Sequence, residues 1–127
     1  MSIRDYFTRL KSVIELCEFV YSYDLKFDER SNDVGYIKGT LNFPQGFELH
    51  FREYVDAAKG EKYKYAYHAM KNTMMIFRYD NASDIQARAL ESFPHHKHLA
   101  DETVIEAEVK TLQEVLAEIE ALLSFSA

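Results

Sequence analysis

Gly46-Phe47-Glu48-Leu49-His50-Phe51-Arg52-Glu53-Tyr54 is the stretch that decides the fold. Its apolar and polar residues alternate, and a period of two marks a β-strand with one buried face. Phe47, Leu49 and Phe51 then form a core face. Glu48, His50, Arg52 and Tyr54 form a polar face carrying imidazole, guanidinium and phenol groups in register. Only the closing Arg52-Glu53-Tyr54 resists the pattern, since simple alternation does not account for all three.

The same period recurs on both sides of this strand. Residues 20–28 alternate imperfectly, and residues 35–43, 63–70 and 74–79 read as further strands. Ser31-Asn32-Asp33, Pro44-Gln45-Gly46, the segment 57–60 and Lys71-Asn72-Thr73 are turn punctuation between them. Short connections favour antiparallel neighbours, so the strands form a meander. Thr103, Ile105, Ala107 and Val109 alternate with Val104, Glu106 and Glu108, which adds a late strand.

At the chain ends the period changes to that of a helix. Ile3, Tyr6, Phe7, Leu10, Val13, Ile14 and Cys17 fall on one stripe after a Ser2–Asp5 capping pair. Leu112, Val115, Leu116, Ile119 and Leu122 do the same after Thr111 and Glu114. A short helix is also expected over residues 84–90, after Ser83. The expected architecture is α+β: an antiparallel meander of five to six strands flanked by N-terminal and C-terminal amphipathic helices, in a single domain over residues 1–127.

Composition narrows the function classes. The chain has one cysteine, Cys17, on the first helical stripe, which excludes an internal disulfide and a cysteine-rich zinc site. No apolar run is long enough to span a membrane, and Asp5 interrupts the start where a signal peptide would be apolar, so a cytoplasmic protein is expected. The net charge of −6 is unevenly spread. From Asp101 to Glu120 there are seven acids and one base, whereas from His50 to His98 there are eight Lys/Arg, six Asp/Glu and all five histidines. A basic centre with an acidic flank is compatible with a local phosphate site.

Chemistry-bearing residues concentrate in that centre. Arg78 and Asp80 project to one side at the end of the fifth strand, close to His68. A guanidinium, a carboxylate and an imidazole are the minimum for acid–base work on a phosphodiester; equally, an Arg–Asp pair at a strand end can be structural, and Asn81 can simply stop the strand. Tyr63, Tyr65 and Tyr67 share a strand face, either as a base-stacking row or as sheet-covering residues with wet hydroxyls. His95-His96-Lys97-His98, entered through Phe93-Pro94, admits three readings: metal ligands, a proton-transferring imidazole, or a structural loop. His96 and His98 share a face if the segment is extended. Lys97 between candidate ligands argues against a cation, so no metal and no cofactor is expected.

Four of these motifs resemble, in order and spacing, the TumE family of toxin–antitoxin toxins. They are Phe51-Arg52-Glu53-Tyr54, the tyrosine row ending in Tyr67-His68, Phe77-Arg78-Tyr79-Asp80-Asn81-Ala82, and Phe93-Pro94-His95-His96-Lys97-His98. The resemblance runs from the first helix to the closing Thr111-Leu112-x-Glu114-Val115-Leu116. It implies a toxin whose partner is an antitoxin with a helix-turn-helix type domain. One departure is visible: the family pattern continues Asp-Asn-Ala with Pro-His-His, where this chain has Ser83-Asp84-Ile85.

Two classes of function follow. In the first, the protein is a metal-independent ribonuclease. Arg52, Tyr54, Asn81 and Lys97 bind substrate, Arg78 holds the phosphate, one of His68, His95, His96 or His98 moves the proton, and Asp80 orients an imidazole. In the second, the same polar surface inhibits a cellular target without catalysis. Polar residues gathered round one pocket favour the first, and a flat open face favours the second. A homo-oligomer is open to either.

Overall fold

The structure, a computed structural model, describes residues 1–126, with side chains described through residue 124. Seven strands form one antiparallel sheet in sequence order: β1 (Ser22–Glu29), β2 (Val34–Asn42), β3 (Phe47–Asp56), β4 (Glu61–Lys71), β5 (Met74–Asp80), β6 (His96–Leu99) and β7 (Val104–Glu106). Helices α1 (Ile3–Leu16) and α2 (Leu112–Ser126) bracket the sheet in sequence. The α+β meander is as expected, with one strand more than the upper count.

Helix α1 begins where the sequence signals it. The Ser2 hydroxyl accepts from Asp5 N at 3.1 Å and the Asp5 carboxylate accepts from Ser2 N at 3.2 Å, which satisfies two free donors of the first turn. Thr111 and Glu114 repeat the arrangement before α2, at 3.1 and 3.0 Å. Ile3, Phe7, Leu10 and Ile14 of α1 and Leu112, Val115, Leu116, Ile119 and Leu123 of α2 are buried against one face of the sheet. That face supplies Ile37, Leu41, Leu49, Phe51, Val55, Tyr65, Tyr67, Phe77 and Tyr79, and Cys17 packs at the edge of the same core. Both helices lie on one side, so the other side of the sheet is left to polar side chains.

Three local departures shape that other side. First, the additional strand is β6, made of the histidine motif itself; β7 is a three-residue strand, shorter than the alternation suggested. Second, residues 84–90 form no helix. Successive turns run Ala87 N to Asp84 O and Leu90 N to Ala87 O, and Gln86 N donates to the Asp84 side chain at 2.8 Å. Only Ala87 in that segment is buried, so there is no apolar stripe to hold a helix down. Third, the register slips between Tyr54 and Val55 opposite β4. This bulge separates Tyr63 from Tyr65 and Tyr67, and its ring lies 5.6 Å from that of Tyr54. Tyr65 and Tyr67 are core, which removes the three-tyrosine stacking row.

Candidate active site

The helix-free face is organised as cross-strand rows. Register pairs Thr40 with His50, His50 with His68, His68 with Arg78, and Arg78 with His98, across five adjacent strands. The neighbouring row runs Lys38, Arg52, Ala66, Asp80, His96. Paired residues of antiparallel strands project to the same side, so pairing alone stacks these groups side by side, about 4.8 Å apart. A cleft of ≈ 890 Å³ follows the rows and is lined by Lys38, Arg52, Tyr54, His68, Arg78 and Asp80, among others.

Alternation in β3 is kept from Phe47 to Val55. Arg52 is exposed and Tyr54 half-buried on the cleft side, while Glu53 faces the core and is fully buried. Its carboxylate accepts from the Tyr6 hydroxyl and from the Tyr67 hydroxyl at 2.5 Å, and Lys62 Nζ lies 3.7 Å away. Lys62 in turn donates to the Lys110 carbonyl at 2.7 Å. Nothing in the local sequence announces this network.

Asp80 is the hub of the cleft's far end and is only 3% exposed. Its Oδ2 accepts from Arg78 Nε at 2.7 Å and its Oδ1 accepts from Ala82 N at 3.0 Å. His96 Nε2 is 3.0 Å from Oδ1, and His98 Nε2 is 3.4 Å from Oδ2. The two imidazole Nε2 atoms are 3.1 Å apart. Asp84 Oδ2, the first carboxylate after the departure from Pro-His-His, reaches to 3.9 Å of His98 Nε2.

His68 is the other notable imidazole. Its Nε2 is buried without a hydrogen-bond partner among the described residues. Burial, with the Arg78 charge and the His50 and His98 rings adding to it, holds its pKa below the ordinary 6.5. Burial lowers the His98 pKa as well, with Arg78 reinforcing and Asp80 opposing. Both rings therefore favour the neutral form, which can accept a proton.

The remaining expected site residues fall elsewhere. Lys97 projects from β6 to the helix side, where its Nζ pairs with Glu118 at 2.7 Å above the Phe77 and Tyr79 rings. Odd and even positions of a strand face opposite ways, so a lysine between two histidines is kept away from both. The ground for expecting no cation at the cluster therefore falls. His95 stacks on Tyr65 and bonds its hydroxyl at 2.9 Å, away from Asp80's cluster. Asn81 lines the cleft, but its amide is used as a clip on β4: Oδ1 accepts from Tyr65 N at 3.1 Å and Nδ2 donates to Tyr63 O at 3.0 Å. It stops the strand and ties both side-chain groups to β4, each keeping one further donor or acceptor position toward the cleft.

No helix among the described residues is long and apolar enough to cross a membrane. A family model described as Toxin TumE matches residues 10–123. No curated protein and no solved structure matches the chain.

Proposed function

The chain belongs to the TumE toxin family, and from that premise we propose that it stops growth by cleaving RNA in the cleft of its helix-free sheet face. Membership makes it the toxin of a toxin–antitoxin system, with an antitoxin as partner. We assign that antitoxin a DNA-binding helix-turn-helix domain.

The observation that carries the reading is the row His68–Arg78–His98, in register across three strands, with the His68 ring lining the cleft. A phosphate on the Arg78 guanidinium, steadied by Arg52, has an imidazole on each side. The two rings are two strand spacings apart, roughly 10 Å. The His68 imidazole takes the proton of the ribose 2′-hydroxyl as its oxygen attacks phosphorus. The bond to the 5′-oxygen breaks, and that oxygen leaves with a proton from a water molecule at the Asp80–His96–His98 end of the row. The products are a 2′,3′-cyclic phosphate and a 5′-hydroxyl. The gathering of Arg52, His68, Arg78 and Asp80 in one cleft, with His98 paired to Arg78 on the next strand, supports catalysis over a flat contact face.

The test is incubation of the purified protein with RNA and with DNA of the same sequence. RNA should be cut to cyclic-phosphate ends and DNA left intact. His68→Ala should lose at least ~10²-fold in rate while keeping its circular dichroism spectrum. Because His68 must be neutral to accept a proton and its pKa is depressed, the acidic limb of the rate profile should fall below pH 6.5. A preparation that arrests growth but leaves every RNA intact would replace this reading with a non-catalytic inhibitor.

A further inference from the structure

We propose that Asp80, His96 and His98 hold a divalent first-row transition-metal ion. The inference concerns binding and stands whether or not RNA is the substrate.

Distance is the first argument. Metal–ligand bonds near 2.1 Å place two ligands about 3.0 Å apart in an octahedron and about 3.4 Å apart in a tetrahedron. The separations here are 3.1 Å between the two Nε2 atoms, 3.0 Å from His96 to Asp80 Oδ1, and 3.4 Å from His98 to Asp80 Oδ2. All three residues offer ligand atoms within 4.8 Å of one another. These separations match those of ligands around one ion.

Hydrogen-bond polarity is the second. His96 Nδ1 lies 2.7 Å from the Pro94 carbonyl oxygen, which can only accept, so Nδ1 carries the hydrogen. In a neutral ring Nε2 is then a bare lone pair, and it points at a carboxylate oxygen and at another imidazole nitrogen. The His96 lone pair facing an Asp80 oxygen, in a site where His96 is 0% exposed, calls for a proton or a metal ion between them. A proton on His96, or a hydrogen on His98 Nε2, answers some of these contacts; a metal ion answers all three. The Nδ1–H to carbonyl bond also fixes the ring as it would be fixed behind a metal.

The surroundings agree. Lys97 faces the other side of β6 and is paired with Glu118, which leaves Arg78, itself paired with Asp80, as the cation beside the cluster. Ala82 N and Arg78 Nε hold the Asp80 carboxylate in orientation. Asp84, 3.9 Å from His98 Nε2, is placed to add a fourth ligand or to hydrogen-bond a metal-bound water. Two imidazoles and a carboxylate select zinc, manganese, iron, cobalt or nickel over magnesium and calcium, which prefer oxygen.

The experiment uses tag-free, chelator-stripped full-length protein titrated with Zn²⁺ by calorimetry, and with Co²⁺ by visible absorption. One equivalent should bind, with d–d bands reporting nitrogen and oxygen ligands. His98→Ala should weaken Zn²⁺ binding by at least about 100-fold. Asp80→Asn, which keeps the shape of the buried side chain, should weaken it too, while the exposed His50→Ala should not. Should His98→Ala bind Zn²⁺ as the parent does, or His50→Ala abolish binding, the ion sits on surface histidines and the proposal fails. It fails equally if the stripped parent shows no binding and no Co²⁺ spectrum, leaving the cluster as a protonated His96 paired with Asp80.

Discussion

Glu53 sits fully buried in a core otherwise built of aliphatic and aromatic side chains, its carboxylate shared by Tyr6, Tyr67 and Lys62. Removing one member of such a group strands the others without water. Glu53→Ala should therefore cost about 3–5 kcal/mol in urea unfolding, and Glu53→Gln clearly less because an acceptor remains. Equal unfolding midpoints for parent and Glu53→Ala would show the carboxylate to be idle. Strict parity puts Glu53 with Phe51 and Val55, but the sequence alone leaves Arg52-Glu53-Tyr54 outside the pattern, because a carboxylate does not announce a core position. What the local sequence could not show is why a carboxylate is tolerable there, because its partners come from α1 and β4. Arg78, Asp80 and His68 were legible for the opposite reason: their placement follows from parity and strand order alone. Lys97 follows the same rule, once its segment is known to be a strand.

Helix α1 is seated on β2 at Gly35. A Cβ there would lie 2.6 Å from Ile3 Cγ1 and 2.8 Å from Phe7 Cζ, inside any real contact. Gly35→Ala should push the helix off its seat and cost about 1–3 kcal/mol, read as a lowered urea midpoint. An unchanged midpoint would mean that α1 rides loosely. The five strands from β1 to β5 and both helices were readable because each carries its own periodicity. Strand β6 was not. His96-Lys97-His98-Leu99 has no hydrophobic alternation, and the segment is a strand because β5 and β7 flank it. The bulge opposite Tyr54 was equally invisible, being a property of the pairing, and it alone decides that Tyr63 leaves the tyrosine row. The turns at 84–90 had the signals of a helix start without the apolar face to continue it.

The whole molecule divides its labour by sheet face, with helices and core on one side and His50, His68, His98, Arg52 and Arg78 on the other. The core side carries four tyrosines, Tyr6, Tyr65, Tyr67 and Tyr79, whose hydroxyls burial holds above the ordinary pKa of 10.0, with Glu53, Asp80 and Glu118 adding to it. A raised folded-state pKa contributes stability that is whole below the unfolded value and is lost above it. Above the range where the histidines titrate, unfolding midpoints should thus hold steady from about pH 8 to about pH 10 and fall beyond it. Burial lowers the Lys62 pKa and so works the other way, one group against four. A midpoint that rises between pH 10 and 12 would contradict the assignment. The cleft side is where the toxin is held to act, and Arg78 sits at its centre without contributing to the hydrophobic core. The most direct measurement is therefore growth after expression without antitoxin, parent against Arg78→Ala, with equal soluble yield and matching circular dichroism spectra. The account predicts arrest by the parent and normal growth with Arg78→Ala; arrest of both to the same degree would place the toxic surface elsewhere.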